Sequence, residues 1–259
     1  MTVLLPIVAV VLLAGLAVVQ AEEIPLAERR SGFDFMSRET QATQRDDASN
    51  PGMLWVADGE ALWNAKPNAS ARACAECHGD AKQSMRGVAA RYPAFDAEAQ
   101  RPIDLAQRIN QCRQERQQAP PFRPESKELL ALTAFVAHQS RGLAVAPPDD
   151  ARLTPFLEDG VALFRRRLGQ LNFSCANCHD DNWGKRLAGN VIPQAHPTGY
   201  PIYRLEWQTL GSLQRRLRNC MIGVRAEPYP YGAPEFVALE LYLNWRARGM
   251  PLETPGVRP

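Results

Sequence analysis

Apolar positions fall into three regimes along the chain. Val3 to Val19 is apolar almost throughout, polar and charged residues then dominate up to Asn50, and beyond that apolar positions recur at helical spacing. The first run has no Lys or Arg before it, but it ends in Val19-Gln20-Ala21, a small-residue cleavage site ahead of Glu22. Residues 1–21 are therefore expected to be a signal peptide. The run is also near the length of a membrane span, which leaves an uncleaved anchor as the alternative; in both cases the remainder is exported. Residues 22–50, whose apolar exceptions are Phe33, Phe35 and Met36, read as an N-terminal arm that packs on its own chain or on a partner subunit. Further on, Ala61, Leu62 and Trp63 lie on an amphipathic helix. Ala131, Leu132, Phe135 and Val136 mark a second, and Leu239, Leu241, Tyr242 and Trp245 a third. No alternating run marks a strand, so the class is mainly α.

The helical segments repeat. Asp58-Gly59-Glu60-Ala61-Leu62-Trp63 matches Asp159-Gly160-Val161-Ala162-Leu163-Phe164 at an offset of 101. The segment from Leu105 to Cys112 matches that from Leu213 to Cys220 at 108, and Glu128 to Leu132 matches Glu235 to Leu239 at 107. Such self-similarity marks two copies of one unit. The expected division is 51–146 and 147–259, with Ala146-Pro147-Pro148-Asp149-Asp150 as the joint. The second copy carries about seven extra residues around His196 to Pro201.

Each copy contains one Cys-x-x-Cys-His run, Cys74 to His78 and Cys175 to His179. This is the attachment pattern of a c-type haem. Two thiols at that spacing bond the two vinyl groups, and the adjacent imidazole takes one axial position of the iron. The expected cofactors are two covalently bound haem c groups, held by Cys74, Cys77, Cys175 and Cys178, with His78 and His179 as axial ligands. A shared zinc site would also use two Cys pairs, but not a His directly after each. A first helix with Gly and an aromatic, and a last helix with aromatics, suit tandem cytochrome c domains. The net charge of +2 does not point to nucleic acid, and 45% apolar content fits a globular core.

The motifs use four of six Cys and two of four His. His138 falls opposite Trp245 in the repeat, and His196 has no counterpart. Only Cys112 and Cys220 occupy equivalent places, which pairs them with His78 and His179 as second axial ligands. A disulfide between them, or two inert thiols, are the alternatives; the disulfide needs the two Cα atoms within about 7 Å. Five arginines lie between Tyr203 and Arg225, with one acid, Glu206. Arg216 precedes Cys220 by one helical turn, Arg218 points elsewhere, and Gly223 ends the helix and returns Arg225 toward the cysteine. Guanidinium groups around a thiol favour the thiolate and attract a small dianion. The alternatives are a solvated basic face or a set of haem propionate partners; Arg108 matches Arg216 in the first copy.

The run from Cys175 to Gly189, His196 to Pro201, Tyr203 to Trp207, Arg218 to Pro228 and the ending Glu253-Thr-Pro-Gly-Val-Arg-Pro resemble the SoxA family. So does the arm, through Ser31-Gly32-Phe33 and Asn50 to Trp55. The resemblance implies a dihaem subunit of the SoxAX complex, with SoxX as a monohaem partner. Its implied activity is that of an L-cysteine S-thiosulfotransferase in the periplasm. Thiosulfate is joined to a cysteine of the SoxYZ carrier and two electrons pass to cytochrome c. Cys220 would be both axial ligand and persulfide-bearing cysteine, and Arg216 the substrate-side arginine, with Arg218 and Arg225 able to hold the dianion as well. The competing expectations are a dihaem electron carrier without substrate chemistry and a dihaem peroxidase.

Overall fold

A computed structural model describes residues 23–259; the expected signal peptide lies outside them. The arm carries α1 (Arg38–Arg45), whose N-cap Ser37 hydroxyl accepts from Thr40 N at 3.3 Å. The first repeat follows as α2 (Met53–Asn64), α3 (Cys74–His78) and α4 (Ala81–Ser84). It continues through a hairpin of β1 (Ala94–Asp96) and β2 (Arg101–Ile103) to α5 (Leu105–Arg116) and α6 (Lys127–His138). The second runs α7 (Thr154–Arg165), α8 (Cys175–His179), then the short hairpin β3 (Arg186–Leu187) and β4 (Asn190–Val191). It continues with β5 (Ile202–Arg204), β6 (Thr209–Gly211), α9 (Leu213–Gly223), α10 (Pro234–Arg246) and β7 (Gly256–Arg258). Among the described residues no helix is long and apolar enough to cross a membrane.

In each half the first helix crosses the last one, α2 on α6 and α7 on α10. A glycine sits at each crossing. A Cβ on Gly59 would lie 2.2 Å from the Ala131 carbonyl, and one on Gly160 2.3 Å from that of Ala238. Only a residue without a side chain lets the backbones meet so closely. Around the first crossing pack Val56, Trp63, Leu130 and Phe135, and around the second Phe164, Phe236, Tyr242 and Leu243. Burying each such side chain contributes about 1.5–3 kcal/mol, so each crossing anchors one domain core.

The strands depart from the sequence expectation. They are two or three residues long, too short to show an alternating pattern. The class stays mainly α, yet one small sheet matters: β5 pairs antiparallel with β6 and parallel with β7, which brings the C-terminus alongside Ile202–Arg204. The arm packs on its own chain. The Ser31 hydroxyl donates to Glu253 at 2.6 Å, Asn50 donates to the Pro255 carbonyl at 2.9 Å, and the Gln44 side chain accepts from Val257 N at 2.9 Å.

Candidate functional site

The short helix α8 begins at Ser174, whose hydroxyl accepts from Asn177 N while the Asn177 side chain accepts from Ser174 N. This box sets the first turn, so that Cys175, Cys178 and His179 project from one compact coil. The His179 Nδ1–H donates to the Pro193 carbonyl at 2.6 Å. That bond fixes the tautomer and leaves Nε2 as the free ring nitrogen. Behind the ring stands Phe164 of α7, with centroids 6.5 Å apart.

Facing His179 is Cys220 on α9. Burial pushes the Cys220 thiol up, but a hydrogen bond with His179 and the charges of Arg216, His179 and Arg204 outweigh it, and the pKa falls to about 7. A cavity of about 160 Å³ opens beside the pair, lined on one side by Arg204, Arg216 and Arg258 and on another by Tyr200 and His196. Tyr200 and His196 belong to the segment that the repeat marks as extra in the second half. His196 is itself held, its Nδ1 hydrogen-bonded to the Arg30 carbonyl at 2.9 Å, and burial lowers its pKa to about 4.

Arg216 and its repeat counterpart differ. Arg108 is bound to Asp96 at 2.7 Å and also donates to Gln111 and to the Tyr92 hydroxyl. Arg216 has neither an ion pair nor a side-chain hydrogen bond among the described residues, and the Cys220 charge is the main influence that raises its pKa. A free guanidinium beside a thiolate is an anion site.

The other two arginines that the resemblance placed near the dianion do not line this cavity, which corrects that role for both and agrees, for Arg218, with its position on another helix face. Arg218 lies two residues from Cys220, hence on another face of α9; it donates to the Tyr229 carbonyl and stacks over Tyr231, 4.8 Å from the ring centre. Arg225 does not fold back. The helix ends at Gly223, and the left-handed residue is Arg225 itself, at φ 58°. Its carbonyl accepts from Gln170 N and its side chain is exposed. Arg204 and Arg258 take the places the sequence reading gave to these two. Arg204 was only one of a cluster there, and Arg258 arrives through the β5–β7 pairing, which no local pattern announces.

In the first half, Cys112 on α5 lies near Cys74 and Cys77, close enough for their charges to interact, and burial raises its pKa. His78 is exposed, with its ring 5.6 Å from Trp63. All six cysteines are free, so Cys112 and Cys220 are not joined to each other.

The chain matches the family described as SoxA/TsdA, cytochrome c domain, twice, over residues 58–145 and 159–252. It belongs to that family. Relatives include the L-cysteine S-thiosulfotransferase subunit SoxA of Pseudaminobacter salicylatoxidans, 40% identical over 90% of this chain and 82% of the relative. That of Rhodovulum sulfidophilum is 36% identical over 89% and 80%. The crystal structure of SoxXA from P. pantotrophus superposes with a TM-score of 0.86 at 33% identity, covering 89% of this chain and 87% of that one.

A cytochrome c domain of the SoxA/TsdA family implies haem c, and the residues of the second half fit it. The thiols of Cys175 and Cys178 are free, the His179 Nδ1 is engaged by the Pro193 carbonyl, which leaves Nε2 for another partner, and Cys220 lies against His179. Arg204, on the cavity wall, keeps a buried Nε with no partner among the described residues, a donor that a bound group could satisfy. A third protein ligand is not needed, and among the described residues no cluster of three His, Cys, Asp or Glu could hold a metal by itself.

Proposed function

We propose that the chain is the thiosulfate-binding cytochrome subunit of an L-cysteine S-thiosulfotransferase, working in the periplasm with a SoxX-type monohaem subunit. The observation that carries the reading is the contrast between Arg216 and Arg108. Two equivalent positions hold the same residue, and only the one beside Cys220 keeps its charge free for an anion.

In the overall reaction thiosulfate dianion and a carrier thiol give a carrier S-sulfosulfanyl group, one proton and two electrons. One S–H bond breaks, one S–S bond forms, the proton leaves to water and the electrons pass to a c-type cytochrome. Haem c would be held by Cys175 and Cys178 with His179 and Cys220 as its ligands, and would supply a one-electron acceptor. The protein does the rest. Arg216 binds the sulfonate end and orients the outer sulfur toward Cys220. Burial of the site strengthens that charge-assisted hydrogen bond relative to water. Tyr200 and the segment around His196 wall the cavity against bulk solvent. The first half holds a second haem through Cys74, Cys77, His78 and Cys112. The partner carrier is of the SoxYZ kind, and residues 1–21 direct export.

Replacing the ligand tests the reading. Cys220→Met, prepared with the small subunit, is expected to load haem and fold, to lose the thiolate-type low-spin EPR signal of the second haem, and to lose thiosulfate conjugation. Substantial retained turnover would overturn the role of Cys220, and an unchanged EPR signal would overturn its ligation. A plain electron carrier would keep its electron transfer and show no loss.

A further inference from the structure

Arg204 and Arg258 are register partners on the parallel strands β5 and β7. Strands in a sheet lie about 4.8 Å apart, so both side chains leave the same face close together. Like charges in such a pair destabilise a sheet. Both are largely buried, with side chains 8% and 13% exposed, and both line the cavity beside His179 and Cys220.

Their protein partners differ: the carboxylate paired with Arg204 is exposed, and the one paired with Arg258 is largely buried. Arg204 reaches Glu206 at 3.1 Å, but that carboxylate is 64% exposed and screened by water, and the Arg204 Nε has no partner among the described residues. Arg258 meets Glu253 at 3.0 Å, and the same carboxylate also accepts from the Ser31 and Thr198 hydroxyls. Among the described residues no Asp or Glu side chain lines the cavity. Arg204, Arg216 and Arg258 thus line one cavity, and Arg216 stands one turn before Cys220 on α9.

We propose that Arg204 and Arg258 anchor the two propionate carboxylates of the second haem, leaving Arg216 as the cation for the substrate. This rests on the proposal that His179 and Cys220 hold a haem, and not on the identity of the substrate. In haem c the thioether-bearing edge and the propionate-bearing edge are opposite. Cys175 and Cys178 on α8 take the first, and the β5–β7 sheet offers two guanidinium groups to the second. Two carboxylates in a buried cavity need two cations, and planar guanidinium matches carboxylate in paired hydrogen bonds. The arm belongs to this anchor. A Cβ on Gly32 would come within 2.8 Å of Arg258 Nε, and Gln44 binds the Arg258 guanidinium, so residues 32–44 hold that side chain in place.

The test uses the full complex with the small subunit and compares Arg204→Gln, Arg258→Gln, Arg204→Lys and Arg216→Gln. Intact mass first counts covalent haem; its absence from the second motif in wild type would overturn the haem reading itself. With haem present, both glutamine variants at 204 and 258 are expected to shift the propionate bending band in resonance Raman spectra. The reduction potential of the second haem should fall, because a cation that disfavoured the oxidised state is gone, while the thiosulfate KM changes less than twofold. Arg204→Lys restores the potential, and Arg216→Gln leaves the Raman band in place. A tenfold rise in KM with an unmoved Raman band would assign the pair to substrate, and no change in either would reduce it to a structural role; both outcomes overturn the proposal. Should Arg204→Gln fail to fold, Arg258→Gln on the edge strand carries the same comparison.

Discussion

The Gln214 side-chain amide, in the first turn of the helix that carries Cys220, donates to the Asp104 carboxylate at 2.9 Å. Asp104 is the N-cap of the helix that carries Cys112. The two proposed ligand helices are therefore tied to each other at their starts, across the domain boundary. Gln214 also accepts from Gly232 N at 2.7 Å, and the surrounding cavity of about 170 Å³ collects Glu125 and Glu240 beside Asp104.

That cluster should make stability depend on pH. Burial, and then the charge of Asp104, hold the Glu240 carboxyl well above the usual range, and burial also raises Asp104 and Glu125. A carboxyl whose folded pKa exceeds its unfolded value, about 4.3 for Glu, costs stability as pH rises above that unfolded value. Glu240→Gln should therefore raise the urea midpoint at pH 8 relative to wild type and lose that advantage near pH 4. An equal difference at both pH values would refute the assignment.

The glycine crossings admit little change. In Gly160→Ala the new methyl meets the Ala238 carbonyl and the Tyr242 Cβ, so α7 and α10 must separate. Overpacking of this kind costs about 1–3 kcal/mol, to be read as a lowered midpoint in equilibrium unfolding of the haem-loaded protein.

Arg216→Ala should lower kcat/KM for thiosulfate by about 10- to 100-fold, corresponding to one charge-assisted hydrogen bond of about 1.5–3 kcal/mol, with little change in the haem absorption spectrum. Arg108→Ala should leave turnover alone and reduce stability, because Asp96 is 4% exposed and loses its cation. Steady-state kinetics and thermal unfolding of the two variants separate these effects.

Arg218→Ala and Arg225→Ala should leave the thiosulfate KM within about twofold of wild type, since surface substitutions away from the site have small effects. A KM increase comparable to that of Arg216→Ala would restore either residue to the anion site.

The tandem plan was readable because it is written on long helices. Gly59 with Phe135 and Gly160 with Tyr242 recur at nearly fixed offsets, and a crossing that needs glycine leaves the same mark twice. Cys220 could be singled out for the same reason, as the counterpart of Cys112. The strands could not, since three residues such as Ile202 to Arg204 are shorter than any pattern. Arg258 is invisible locally; its place comes from parallel pairing between distant stretches of chain. Arg225 was misplaced because a helical wheel says nothing beyond Gly223, where a backbone turn at Arg225 itself takes over.

The seam between arm and tail has a consequence for biogenesis. Ser31 precedes its partner Glu253 by 222 residues, and Gln44 precedes Arg258 by 214. The wall of the cavity that these contacts hold beside Cys220 therefore forms only after both stretches have been made. Until then that side stands open, and a macrocycle would have a doorway there that the later stretch shuts.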